Sequence, residues 1–387
     1  MTTLTNNGWI GSTSGMWTNG ADIVDNMDEI TVASGITANS RGGNDRIIGT
    51  GNLNGIINEG TINTGNGSDF IAGTGGNAGI NNLGFITTGN GNDSIVGTSL
   101  TIGIQISNNK TIATGTGSDF IAGMGAADGI GNNGTIDTGN GNDTIAGTAT
   151  PLPFGIPQNG IVNAGIIDTG NGSDFITGTS PQQVTRNFGI LNFDTIDTGN
   201  GSDSITGKGS DVGIFNSGII LTGGGSDSIA GTRSESGIVN FDTIDTGNGS
   251  DSITGTGSVV GINNLGIILT GGGSDSIAGT SIRNSGTIDT GNGSDTIDAL
   301  TGGFGLSGTI NLGSGNDKIK GFGNQMVFGG IGFDVAEFNF NTDELDNICL
   351  TNGTVKVTKG GITMTFMNVE KFVFADGALL IGDLSTC

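Results

Sequence analysis

One turn recurs along most of this chain, and the distance between its copies constrains the fold more than any other feature. Residues 64–75 read TGNGSDFIAGTG, and lightly edited versions place aspartates at Asp45, Asp69, Asp93, Asp119, Asp143, Asp174, Asp203, Asp227, Asp251, Asp275, Asp295 and Asp317. The steps between them are 24, 24, 26, 24, 31, 29, 24, 24, 24, 20 and 22 residues. A second motif, Gly-Ile-x-Asn, opens at Gly55, Gly79, Gly129, Gly160, Gly189, Gly213, Gly237 and Gly261, and Asn108 and Asn284 extend its row of asparagines. Two motifs locked to one period define one coil per 24 residues.

Within a coil, segments such as Thr61-Ile62-Asn63 and Phe70-Ile71-Ala72 alternate outward and inward residues, the period of a β-strand. Glycine-rich corners separate them, where positive φ costs little only for Gly. The chain has 79 Gly in 387 residues without a collagen period, and Ile at fixed places sets it apart from low-complexity disorder. Ile56, Ile62 and Ile71 exemplify three inward residues per coil, which one coil alone cannot bury. Stacking the next coil about 4.8 Å away closes the core. The expected fold is all-β, a parallel β-solenoid of the β-helix or β-roll kind, in which about a dozen coils span roughly 60 Å. The asparagine row is expected to be a ladder, each amide bonding to its equivalents above and below. Every proline, Pro151, Pro153, Pro157 and Pro181, falls in the two longest steps, so these read as loops leaving one corner.

The formal net charge is −24, from 36 acidic and 12 basic residues, which disfavours nucleic acid and anionic membranes and favours divalent cations. No apolar run is long enough for a transmembrane segment, and MTTLTNNGWIGSTSG has neither the basic nor the apolar region of a cleavable secretory signal. Two cysteines, Cys349 and Cys387, make no disulfide framework; they bridge each other, bridge another chain, or stay free. With no His or Tyr, acid–base catalysis would fall to carboxylates that occupy repeat positions, so no enzyme is expected.

The chemistry sits in the aspartate turn. Stacking places one carboxylate above another in every coil, and unit charges about 4.8 Å apart repel by roughly 1 kcal/mol in water and several times that in a partly dry groove. The glycine turn aims backbone carbonyls into the same groove, near Gly65, Gly67, Gly89, Gly91, Gly139, Gly141, Gly170, Gly172, Gly199, Gly201, Gly223, Gly225, Gly247, Gly249, Gly271, Gly273, Gly291 and Gly293. Carboxylates plus carbonyls, without His or Cys, form a hard-oxygen set suited to calcium, Ca2+.

The turn resembles the nonapeptide of repeats-in-toxin proteins, G-G-x-G-x-D-x-U-x, with U a large aliphatic residue. Gly329-Gly330-Ile331-Gly332-Phe333-Asp334 matches in full and adds Asp334 to the aspartates expected to hold metal. Most other copies carry Thr first, as at Thr64, Thr138, Thr246 and Thr290, and Asp45 follows the weakest fit, Arg41-Gly42-Gly43-Asn44. The family packs two such turns into a coil; here there is one, so calcium is expected along one edge only. The resemblance covers about residues 40–380 and extends to Asn368-Val369-Glu370-Lys371-Phe372-Val373-Phe374-Ala375-Asp376-Gly377, similar to an uncleaved C-terminal signal for type I secretion. It implies a secreted, extracellular or cell-surface bacterial protein that folds on meeting millimolar calcium.

The expected organisation is an N-terminal cap or docking segment at 1–40 with Trp9 and Trp17, calcium-binding repeats at 41–328, and a Phe-rich C-terminal β cap with the secretion signal at 329–387. A chain that is nearly all repeat, acidic and without a separate effector domain reads first as a structural or surface-layer protein. It would form homo-oligomers or filaments through its ends and the outward Phe70, Phe120 and Phe175. The alternatives are ice binding, through the file Thr64, Thr88, Thr114, Thr138, Thr169, Thr198, Thr222, Thr246, Thr270 and Thr290, and polysaccharide adhesion through the proline loops. Threonine arrays on calcium-bound solenoids of the family it resembles order water in an ice-like way.

Overall fold

A computed structural model describes residues 1–5, 8–10, 15–25, 28–99, 106–151, 157–181 and 187–386. Pro153 and Cys387, and residues 152–156 and 182–186 of the two longest steps, lie outside the described residues. The chain is a parallel β-solenoid with three strands per coil, and its only helices among the described residues are short 3-10 turns at Thr342–Glu344 and Ile381–Asp383. It divides into two compact units, Met1–Phe215 and Asn216–Cys387.

In the first unit a coil consists of strands such as Asn54–Asn58, Thr61–Asn63 and Phe70–Gly75. Each pairs in parallel with its counterpart in the next coil, Ala78–Asn82, Phe85–Thr87 and Ser94–Ser99. Register sets like on like: Ile56 opposes Ile80, Ile62 opposes Ile86, and Ile71 opposes Ile95. All six are fully buried, so each strand delivers one isoleucine to the core. At one corner there is no room for side chains. A Cβ on Gly73 would overlap the Gly79 carbonyl, and one on Gly79 would overlap the Thr98 amide, so two backbones meet directly there. That contact explains the glycine of Gly-Ile-x-Asn.

The asparagine ladder forms as expected. Asn58 donates to Asn82 Oδ1 at 2.7 Å, and Asn82, Asn108, Asn132 and Asn163 each donate onward to the next coil at 2.8 Å. These side chains are buried, and their Nδ2 groups also bond backbone carbonyls, as Asn132 does with Ile166 O at 2.9 Å. In the second unit Asn216, Asn240 and Asn264 continue the pattern at 2.9 Å, and Gln325 receives the last amide, from Asn284, at 3.1 Å.

At the N-terminus Thr2–Thr5 pairs in parallel with Ile30–Val32 and antiparallel with Gly8–Ile10. Trp17 donates from Nε1 to the Thr5 carbonyl at 2.8 Å and packs on Trp9, the ring centroids 5.2 Å apart. Toward the C-terminus the parallel pattern gives way to an antiparallel meander, Asn347–Thr351, Thr354–Lys359 and Ile362–Met367. Phe338, Phe340, Phe366, Phe372 and Phe374 are buried beside it and pack on one another, as in the Phe366–Phe372 edge contact. Cys349 is disulfide-bonded.

Candidate metal-binding edge

The Thr-Gly-Asn-Gly-Ser-Asp turn reverses the chain through two glycines of positive φ. Gly65 has φ +90° and Gly67 +145°, and the pair recurs at Gly139 and Gly141, with +85° and +149°. A Cβ on Gly67 would overlap the Gly43 carbonyl of the neighbouring coil, so close stacking demands glycine there independently of φ. The turn brings its aspartate back inside: Asp69 is 2% exposed and Asp143 and Asp174 are fully buried.

The predicted aspartates stand in file. In the first unit Asp69, Asp93, Asp119, Asp143, Asp174 and Asp203 each accept, through Oδ1, the backbone N–H of the preceding coil's aspartate at 2.8 Å. In the second unit Asp251, Asp275, Asp295, Asp317 and Asp334 do the same at 2.8–2.9 Å, the first of them from Asp227. Two residues that the sequence motif does not mark close the files. The Asp22 amide donates to Asp45 Oδ1 at 2.7 Å, and Glu370 Oε2 accepts the Asp334 amide at 2.8 Å. Asp22 precedes the first turn, and a hairpin separates Glu370 from the last one, so no periodic signal reaches either.

The second oxygen is what calls for a cation. Oδ2 of Asp45, Asp69, Asp93, Asp119, Asp143, Asp174, Asp251, Asp275, Asp295, Asp317 and Asp334 is buried with no hydrogen-bond partner. An unpartnered buried anionic oxygen costs several kcal/mol, and repetition in register adds like-charge repulsion. Burial pushes the carboxyls of Asp45, Asp93, Asp143, Asp174 and Asp317 up to about 6, and neighbouring aspartates raise each further; backbone amides and, for the first four, the hydroxyls of Ser40, Thr88, Thr138 and Thr169 pull the other way. The carboxyls of Asp69, Asp119, Asp203, Asp251, Asp275, Asp295 and Asp334 are raised mainly by the same burial. These oxygens fit calcium, which takes hard oxygen ligands and supplies the missing positive charge. Among the described residues no group of three or more acidic, His or Cys side chains is arranged so that it could hold a metal ion by itself. A bound ion would take further oxygens from the turn carbonyls, of which those of Gly89, Gly139 and Gly170 also accept a backbone amide of the next coil. A second acidic row that the sequence reading passed over lies alongside: Asp137, Asp168 and Asp197 stack in register, and burial together with the two neighbours raises the Asp168 carboxyl.

The threonine file is placed differently from the expectation that it is exposed. Thr64, Thr88, Thr114, Thr138, Thr169, Thr198, Thr222, Thr246, Thr270 and Thr290 are all 0% exposed. Thr64 follows inward Ile62 by two residues, so strand alternation carries it into the core, where other members of the row bond between coils, as Thr88 Oγ1 does to Thr114 O at 3.3 Å. It cannot meet a surface. The outward residues of the same edge are Asn66, Asn90, Thr116, Asn140, Asn171 and Asn200.

The raised carboxyls set a pH dependence whose sign depends on metal. Without cations the folded chain holds protons more tightly than the unfolded one, so stability is fully present below the ordinary value of 3.8 and is lost as pH rises through about 6. With millimolar calcium the ions require deprotonated carboxylates, so stability is expected to rise with pH over the same window. Thermal midpoints from pH 4 to 7, with chelator and with calcium, should move in opposite directions; parallel trends would exclude the carboxylate file as the metal edge.

No protein-family model and no curated protein sequence matches the chain. Among solved structures it is similar to a hyperactive, Ca2+-dependent, β-helical antifreeze protein from an Antarctic bacterium, with a TM-score of 0.47 and 18% identity, over 98% of this chain and 93% of that one.

Proposed function

We propose that this chain is an extracellular, calcium-stabilised solenoid of the repeats-in-toxin type whose aspartate-turn edge binds a flat, ordered, uncharged surface, ice in the first instance. The observation that carries the reading is the outward side of that edge in the first unit. Asn90 donates to Asn66 at 2.7 Å, Thr116 to Asn90 at 2.6 Å, Asn171 to Asn140 at 2.9 Å and Asn200 to Asn171 at 3.0 Å. A second rank runs beside it: Asn44, Asn92 and Asn142 accept the amides of Ser68, Ser118 and Ser173 in the next coil at 2.8–2.9 Å. Both ranks are uncharged, fixed by their own bonds, and repeat about every 4.8 Å. Side chains already immobilised lose little entropy on binding, and periodic amides and hydroxyls can anchor water in matching order. In the second unit glycines at Gly224 and Gly272 interrupt the first rank, so the first unit is the binding portion.

Calcium supports this face from beneath, since the same turns carry the aspartate file. Millimolar calcium is found outside cells, which supports an extracellular site of action and C-terminal export through type I machinery. Thermal hysteresis at micromolar protein in calcium tests the reading. Replacing Asn140 and Asn171 together by Tyr should reduce it by about an order of magnitude through lost surface complementarity. Tyr at Thr148 and Thr179, on the neighbouring sheet, should leave it unchanged. A wild-type chain without hysteresis would remove ice as the ligand.

A second reading, assembly into an extracellular layer or filament, is supported by the outward aromatic row. Phe120 is 41% and Phe175 51% exposed, on strands of the sheet that also carries half-buried Phe70. Large calcium-dependent species in sedimentation, with no hysteresis, would favour it.

A further inference from the structure

The second unit's aspartate file ends in a way the repeat does not foreshadow. Every other rung is an aspartate, but the Asp334 amide is taken by Glu370, 36 residues on and beyond the hairpin Asn347–Thr351/Thr354–Lys359. Asp334 is itself 0% exposed, and its Oδ2 has no partner. That oxygen is aimed at the space above Gly329. A Cβ built on Gly329 would stand 2.6 Å from Asp334 Oδ2 and would overlap the backbone carbonyl oxygen of Asn368. Gly329 occupies the position that holds Thr290 and Leu312 in the two preceding turns, so the cradle exists only here. Asn368 adopts φ +52°, a left-handed conformation that turns the chain at this point. The Gly329 amide then donates to Met367 O at 2.8 Å, and the Lys371 amide to Asp334 O at 3.1 Å.

We propose that Asp334, Glu370 and the Asn368 carbonyl hold a terminal divalent cation, calcium by its hard-oxygen ligands, which fastens the C-terminal segment to the last turn of the solenoid. The inference rests on the calcium reading of the aspartate file and extends it to a residue outside the repeat. Asp334 Oδ2 and the Asn368 carbonyl both face the space above Gly329, and Glu370 is tied to the Asp334 amide, so an ion taking oxygens from all three would close the file. Strands Ile362–Met367 and Lys371–Phe374 flank Asn368 and Glu370, so the ion couples their docking to calcium.

The test uses the full chain. Glu370→Gln keeps an oxygen to accept the Asp334 amide but removes the charge, and Gly329→Ala fills the cradle while leaving both carboxylates. Calcium bound per chain at saturation is measured by equilibrium dialysis, and amide hydrogen exchange is followed across residues 362–380. Each variant is expected to bind one ion fewer than wild type, with exchange in the terminal strands about tenfold faster while the remaining coils stay protected. Unchanged stoichiometry in Glu370→Gln would overturn the site, including when exchange accelerates, because Glu370 would then act as a hydrogen-bond acceptor alone. A wild-type chain that binds no calcium would instead sink the calcium reading as a whole.

Discussion

Stripped of calcium at neutral pH, the chain is expected to lose most of its β-structure and expand, and millimolar calcium should restore it. Buried carboxylates stacked about 4.8 Å apart repel by roughly 1 kcal/mol per neighbour even at the dielectric of water, and by about 3 kcal/mol at the value typical of protein surfaces. Eleven of them carry an oxygen with no hydrogen-bond donor. A folded domain has only about 5–15 kcal/mol in hand, so the sum exceeds what the isoleucine core can hold against. Circular dichroism and sedimentation in chelator, then in calcium, measure the transition. A solenoid equally stable in both would mean that the turns hold no metal.

The second large effect is expected at the asparagine ladder. Asn132 is 1% exposed; its Nδ2 donates to Asn163 Oδ1 at 2.8 Å, Ile166 O at 2.9 Å and Gly134 O at 3.2 Å, and its Oδ1 accepts from Asn108 at 2.8 Å. Asn132→Leu preserves the volume but strands polar groups in the coils above and below. At about 1–3 kcal/mol for each buried group left unpaired, the variant should lose roughly 4 kcal/mol, since the losses overlap. Asn140→Ala, on the exposed ladder eight residues later, should cost under about 0.5 kcal/mol. Denaturant midpoints in saturating calcium compare the two. Equal effects would show that the buried ladder is no stronger than its exposed counterpart.

The coil was legible because two motifs shared one register, and Ile56, Ile62 and Ile71 each reach the core as the alternation required. The asparagine ladder followed from the same periodicity. Threonine burial was also written there, since Thr64 continues the inward parity of Ile62 for one step past the strand, but a residue adjoining a glycine turn reads as surface until the turn geometry is known. Asp22 and Glu370 were illegible for a different reason: their places in the file are set by chain segments that leave the repeat and return. The orphaned Oδ2 atoms depend on how deeply the turn folds its aspartate under the next coil, and no pattern of residue types encodes that depth.

Register that places each residue on its own counterpart has a genetic consequence. Ile71 meets Ile47 on one side and Ile95 on the other, and Gly73 meets Gly49 and Gly97. Duplicating or deleting one whole coil of coding sequence therefore creates no junction that the chain does not already contain. Such changes arise by unequal recombination between similar coding repeats, and each would lengthen or shorten the exposed edge by one rank while leaving both ends untouched. The size of the working surface can thus evolve by counting, with selection acting on copy number before it acts on any side chain.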